Sequence, residues 1–217
     1  MLDTAFVCWG VSVTWLEVMA FVLALGCVLF NVYEIHWGWP LAIGSSVLYA
    51  WLFASARVYG DAGLQVFFAA TAAWGWWQWL FGRRRVAGSA APPQPLRIVA
   101  LDARGRLRVL VLWLAGWIAL GLLLSRLTDS DVPWLDAFPT AGSVIAQILL
   151  ARKYVDNWWV WVGVNVGSVA LFGYKDLWLT ALLYVIFVGL AVQGLVRWRR
   201  LLAQQAAAAG GSAAMPT

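Results

Sequence analysis

The sequence predicts an all-α membrane protein: seven transmembrane helices in a 3+1+3 parallel repeat. Three observations carry this. Of 217 residues 63% are apolar and only 12% charged, whereas soluble domains average about half and about a quarter. Apolar runs of helix length recur seven times, separated by short polar islands. The pattern of the first three runs returns in the last three. A mean hydropathy of +0.78 and 17 Trp fit the same class and exclude a soluble monomer, a disordered chain and a disulfide scaffold. The net charge of +5 does not point to nucleic acid, because the basic residues flank the apolar runs, as topology signals do. Membrane lipid, not nucleic acid, is the expected surrounding partner.

A spanning helix needs about 20 mostly apolar residues, and the runs lie at 14–33, 37–56, 62–82, 108–126, 136–151, 157–173 and 177–197. The fifth and sixth are short, which predicts less tilt or a deeper start. Met1-Leu2-Asp3-Thr4 offers no basic n-region, so no removable signal peptide is expected. Cys8 and Cys27 would lie about 28 Å apart on a continuous helix, too far for a disulfide. Residues 83–107, opening Arg83-Arg84-Arg85 and passing Pro92-Pro93, read as an exposed cytoplasmic linker, and 108–126 as a linker helix. The three-helix repeats are then 14–82 and 136–200. The stretch 203–217, with Gln204-Gln205-Ala206 and Gly210-Gly211-Ser212, reads as a disordered tail.

Basic residues set the orientation. Arg83, Arg84, Arg85, Arg97, Arg104, Arg106, Arg108, Arg152, Lys153, Arg197, Arg199 and Arg200 fall on one side and Arg57, Arg126 and Lys175 on the other, 12 against 3. Excess Lys and Arg marks the cytoplasmic face. The N-terminus is then outside and the C-terminus inside, which requires an odd number of spans.

The internal repeat shows at several points. Trp37-Gly38-Trp39 with Ser46 returns as Trp159-Val160-Trp161 with Ser168 at an offset of 122, which sets Ile43 opposite Asn165. Gly75 and Trp79 return as Gly194 and Trp198 at an offset of 119, which also pairs Gln65 with Tyr184 and Phe68 with Phe187. Tyr59-Gly60-Asp61 and Tyr174-Lys175-Asp176 mark the loops between. Because three spans are odd, two triplets share an orientation only if one extra span separates them, and the fourth supplies it. The result is a parallel repeat about an axis along the membrane normal.

The stretch from Trp37-Gly38-Trp39-Pro40 through Ser46, Tyr49, Leu64-Gln65, Gly75 and Trp79 resembles one half of the PnuC family of nicotinamide riboside transporters. Asn157-Trp158-Trp159-Val160-Trp161 through Asn165, Tyr174-Lys175, Leu183-Tyr184 and Gly194 resembles the other half. The resemblance covers residues 15 to 200. It implies a SWEET-like architecture, a homotrimer with one pathway per protomer, and a bacterial inner-membrane location. It also implies facilitated diffusion of nicotinamide riboside for NAD synthesis, trapped by cytoplasmic phosphorylation. Thiamine and riboflavin are carried by relatives of the same family and stay open as cargo. The linker after the third span is more Arg- and Pro-rich than that pattern.

Candidate ligand residues follow from faces. Trp158, Trp161, Asn165 and Ser168 are spaced i, i+3, i+7, i+10, one helical face, and an amide in hydrocarbon needs a partner or a wet cavity. Gln65 with Phe68, and Tyr184 with Phe187, each place a hydrogen-bonding group and a ring on one face. Gln147, and Ser46 with Tyr49, complete the set. The alternative for each is helix-to-helix hydrogen bonding. The span-end tryptophans Trp15, Trp37, Trp79, Trp178 and Trp198 read as interfacial anchors. No metal or cofactor is expected. There is no phosphate-binding loop, and no acid lies at a span's middle, so neither nucleotide hydrolysis nor ion coupling is indicated. The lone His36 reads as an interfacial residue. No Lys occurs from Asp176 to Val196 to carry retinal, and no buried nucleophile with a base indicates an enzyme. A structural membrane protein is the non-transport alternative.

Overall fold

Each of the seven apolar runs folds as a helix. The structure, a computed structural model, describes residues 4–8, 11–55, 59–84, 92–128, 131–175 and 178–213. The chain forms two compact units, Met1–Pro95 and Leu96–Thr217, taken here one at a time.

In the first unit an antiparallel hairpin, β1 (Thr4–Cys8) and β2 (Val11–Thr14), leads into α1 (Trp15–Val32). α2 (Gly38–Ser55) and α3 (Tyr59–Phe81) follow, and α2 packs against both of its neighbours. The linker begins as a two-stranded pairing of β3 (Arg83–Arg84) with β4 (Gln94–Pro95). Neither hairpin is visible in a helical reading of the periodicity. The α1–α2 turn reverses through Glu34 in the left-handed region at φ 60°. It is closed by Ile35 N–H donating to Phe30 O at 2.8 Å and Gly38 N–H donating to Ile35 O at 3.2 Å.

The second unit holds α4 (Ala103–Leu127), α5 (Pro133–Ala151), α6 (Asn157–Tyr174) and α7 (Trp178–Ala213). Two sequence expectations shift here. α4 starts at Ala103, ahead of the linker's expected end, because the Asp102 side chain accepts the Gly105 N–H at 2.7 Å and caps the helix. α7 runs for 36 residues to Ala213. The Ala-rich stretch expected to be disordered is therefore helical through that residue, since Ala is the best helix former; residues 214–217 lie outside the described residues.

α4 is built into this unit. The Trp113 ring occupies the space where a Cβ on Gly142 of α5 or Gly163 of α6 would lie, 2.7 Å from the indole in each case. Trp113 stacks on Phe138 at 4.9 Å and donates its indole N–H to Phe138 O at 3.0 Å. Trp117 likewise donates to Trp134 O at 2.7 Å. Around this clamp Ala146, Leu149, Val160 and Val164 form a buried cluster.

Ala103–Leu127, Pro133–Ala151 and the Thr180–Ala208 part of α7 are each long and apolar enough to cross a membrane. α4 exposes Leu107, Leu110, Val111, Leu112, Leu114 and Ile118. A continuous apolar surface of that extent is unfavourable in water and ordinary in hydrocarbon.

Candidate functional site

The polar interior of the second unit lies between α6 and α7. Asn165 and Ser168 are buried on α6, one turn apart on the face predicted for them. The Ser168 side chain on α6 faces the Tyr184 hydroxyl on α7. The Tyr184 ring stacks on Phe172 with centroids 5.1 Å apart and planes at 16°, and Phe187 meets its edge at 5.8 Å. The Phe172, Tyr184 and Phe187 rings thus meet beside Ser168, on the helix pair whose α6 also buries Asn165. Trp161 is half-buried and packs against the Ala146–Val164 cluster, and Gln147 is half-buried on α5.

Trp158 goes elsewhere. It is 2% exposed, meets Trp198 edge-on at 5.6 Å and 85°, and covers Gly194, where a Cβ would lie 2.6 Å from the indole. Its ring works as a packing wedge between α6 and α7. The first unit repeats this seat: Trp39, fully buried, lies over Gly75 and meets Trp79 edge-on at 5.5 Å and 81°. Trp79 and Trp198, expected as interfacial anchors, are inward packing partners.

These seats share one register. Trp39, Gly75 and Trp79 become Trp158, Gly194 and Trp198 at a single offset of 119. Helices α2 and α6 start at Gly38 and Asn157, and α3 and α7 at Tyr59 and Trp178, the same offset. The match at 122 that sequence similarity suggests for the second and sixth spans slides the comparison by three residues, close to one turn, which is why it still aligns polar residues. In the register of the seats Ser46 stands opposite Asn165, Tyr49 opposite Ser168, and Gln65 opposite Tyr184; Ile43 is not the counterpart of Asn165. Tyr59 opens α3, whereas Tyr174 closes α6, so those two loop motifs are not equivalent positions. Ser46 is buried, and Tyr49, Gln65 and Phe68 are half-buried.

Sequence reasoning passed over two further features. Asp156, one residue before α6 and 7% exposed, accepts the Leu101 N–H at 2.7 Å and the Arg106 Nε–H at 2.8 Å. Val99 pairs with the α5–α6 turn as a parallel bridge, receiving the Val155 N–H at 2.9 Å and donating to Lys153 O at 3.1 Å. The segment ahead of α4 is thus strapped to the start of the helix that carries Asn165. An acid placed directly before a helix was the available signal, but it reads as an ordinary cap; in the structure its carboxylate makes no cap bond to α6. At the other end of the unit, Lys175 lies 3.5 Å from Asp136.

A bundle of apolar helices, three of them long and apolar enough to cross a membrane, defines a multi-pass membrane protein. The comparisons narrow that class. A family described as nicotinamide mononucleotide transporter matches residues 14–200, and the chain belongs to that family, of PnuC type. It is 26% identical over 210 residues to the nicotinamide riboside transporter PnuC of Escherichia coli (strain K12), covering 87% of each chain. It is 26% identical over 195 residues to the riboflavin/roseoflavin transporter RibM of Streptomyces davaonensis, covering 89% of each. The crystal structure of the vitamin B3 transporter PnuC has the same fold, with a TM-score of 0.67 at 24% identity over 88% of this chain and 83% of that one.

Proposed function

We propose that this protein is a uniporter that carries nicotinamide riboside into the bacterial cytoplasm by facilitated diffusion, where phosphorylation traps it for NAD synthesis. The observation that carries the reading is the buried Asn165 and Ser168, with the half-buried Tyr184, Phe172 and Phe187 rings gathered beside Ser168, in a chain whose relatives carry vitamins of this kind. The substrate joins a cationic pyridinium, a carboxamide and a ribose. Asn165 and the Ser168–Tyr184 hydroxyl pair offer both donors and acceptors to the amide and the sugar. The half-buried Trp161 is the indole proposed to face the pyridinium: cation–π attraction contributes about 0.5–2 kcal/mol, and stacking of a flat ring about 1–3 kcal/mol. Trp158 is left to packing. Ser46, Tyr49, Gln65 and Phe68 are proposed for the equivalent role in the first unit, and Gln147 for a polar contact from α5.

Seven membrane spans, a like-oriented pair of triplets separated by α4, an external N-terminus, a cytoplasmic C-terminus and a homotrimer belong to the same proposal. The common offset of the helix starts supports the triplets, and the 12-to-3 partition of Lys and Arg supports the orientation. Riboflavin is the second reading, favoured by the RibM relative at equal identity; thiamine, another cationic vitamin, is the third.

Purified protein in liposomes is expected to accelerate uptake of labelled nicotinamide riboside with no pH or sodium gradient imposed. A strict requirement for either gradient would overturn uniport. Tighter binding of riboflavin or thiamine in a calorimetric titration would reassign the cargo. Asn165→Leu and Trp161→Ala are each expected to weaken binding about tenfold or more, the loss of roughly 1.4 kcal/mol or more, while the protein still inserts; wild-type affinity in both would remove them from the site.

A further inference from the structure

The transport reading uses the inward faces of α6 and α7, and the outward faces carry an arrangement that it leaves unexplained. Along α7 the exposed residues Leu182, Ile186, Val192 and Val196 form an apolar stripe, which ends at Arg199 and Arg200, both exposed. From Leu182 to Arg199 one continuous helix rises about 26 Å, close to the roughly 30 Å of a bilayer's hydrocarbon core. With the stripe against acyl chains, the two guanidinium groups stand at headgroup level.

The register of the Trp158–Trp198 seat sets one of these groups in place. One residue further along each helix, the Arg199 guanidinium carbon lies 5.3 Å from the centre of the Trp159 ring, and Trp159 is 52% exposed. A guanidinium offers several N–H donors in a planar fork, and that fork matches an oxyanion in bidentate fashion. Neither Arg199 nor Arg200 forms an ion pair with an acidic side chain among the described residues. Tryptophan is also the residue favoured at the boundary between hydrocarbon and headgroups.

We propose that Trp159, Arg199 and Arg200 form a binding site for the phosphate of an anionic phospholipid, its acyl chain lying along the α7 stripe. A lipid is favoured over a free phosphate because the cationic pair is continuous with apolar surface. There are no walls to enclose a small ion, and an exposed guanidinium alone binds one weakly in water.

The test is thermal unfolding of the full chain in a neutral detergent with added phosphatidylglycerol, phosphatidylcholine or inorganic phosphate. Phosphatidylglycerol is expected to raise the midpoint well beyond phosphatidylcholine, and phosphate to leave it unchanged. Arg199→Ala is expected to weaken the apparent phosphatidylglycerol affinity about fivefold, as for one Arg near an anionic surface. Arg199→Gln should match it, Arg199→Lys should recover part of the response, and Trp159→Leu should fall in between. An undiminished phosphatidylglycerol response in both Arg199→Ala and Arg199→Gln would overturn the proposal. So would phosphatidylcholine or inorganic phosphate acting as strongly as phosphatidylglycerol on the wild type.

Discussion

The α1–α2 and α5–α6 turns are the same backbone carrying different cargo. Glu34 and Lys153 adopt left-handed φ values of 60° and 54°. Ile35 N–H donates to Phe30 O at 2.8 Å, as Tyr154 N–H does to Leu149 O at 2.9 Å. Trp39 N–H donates to His36 O at 3.2 Å, as Trp158 N–H does to Val155 O at 3.3 Å. Yet Trp37, 57% exposed, stands where the second turn has the buried Asp156. One residue type converts an open turn into the anchor of the segment leading into α4. The buried amide has also changed sides: the first turn has Asn31 with Gly38, the second Leu150 with Asn157. A Cβ on Gly38 would lie 2.8 Å from Asn31 Oδ1, so each turn has room for one amide, supplied from either helix.

The comparison breaks hardest at the tryptophan seats, which it holds to be equivalent. Gly75→Ala and Gly194→Ala each push a methyl into a buried indole. Overpacking of that kind costs about 1–3 kcal/mol or more, and both variants should lose monodisperse protein on size-exclusion chromatography and melt lower. Pairing each with the shortening of its own tryptophan, Trp39→Leu or Trp158→Leu, should restore part of the midpoint. A harmless change at one seat and a severe one at the other would end the equivalence.

At the position where the turns differ, the effects should differ too. Asp156→Ala removes the acceptor of a part-buried amide N–H and of Arg106. Leaving such a donor unsatisfied costs about 1–3 kcal/mol, while the ion pair adds little because the Arg106 side chain is 60% exposed. Trp37→Ala, on an exposed ring, should stay within about 0.5 kcal/mol. Thermal melts of the two variants check this, and equal shifts would mean that the strap contributes nothing.

The exchanged amide is tested by transplanting one arrangement into the other. Gly38→Asn alone should destabilise by about 1–2 kcal/mol, because two amides then compete for one space. Adding Asn31→Leu recreates the pairing of the second turn and should recover part of the loss, the close approaches to Cys27 O and Phe30 Cβ remaining. Non-additivity of that sign in a double-mutant cycle is the outcome to look for; strictly additive losses would show that the two positions do not share a space.

Much of this was legible in the residues, for physical reasons that also mark where legibility stopped. Helix positions followed from apolar runs, because a lipid-facing helix must satisfy its own backbone. The Gly75–Trp79 and Gly194–Trp198 spacing gave the offset of 119 that the helix starts also keep. The same offset applied to Trp39 would have found Trp158 at once, but the neighbouring Trp159 and Trp161 offered a competing match one turn away. Asn165, Ser168 and Tyr184 were visible as polar residues on predicted faces. That Ser168 and Tyr184 face each other, and that Trp158 turns to Gly194, depends on how α6 meets α7, which periodicity within one helix does not encode. The strap from Val99 to Arg106 was hidden for the same reason, since it joins positions about 50 residues apart.

The smallest effect is the most direct probe of the shared backbone. A non-glycine residue in the left-handed region carries a steric cost of about 1–2 kcal/mol that glycine avoids. The native side chains of Glu34 and Lys153 differ in charge and surroundings, so the useful quantity at each site is the stability of the Gly variant relative to the Ala variant, which removes everything beyond Cβ. Glu34→Gly should exceed Glu34→Ala by about 1 kcal/mol, and Lys153→Gly should exceed Lys153→Ala by the same amount, read as matched differences in melting midpoint. The strap bears on Lys153 through its carbonyl, which Val99 holds at 3.1 Å, and a bond to the carbonyl leaves the φ preference untouched. A gain at one turn and a loss at the other would therefore place the two turns in different backbone conformations, whatever their hydrogen bonds have in common.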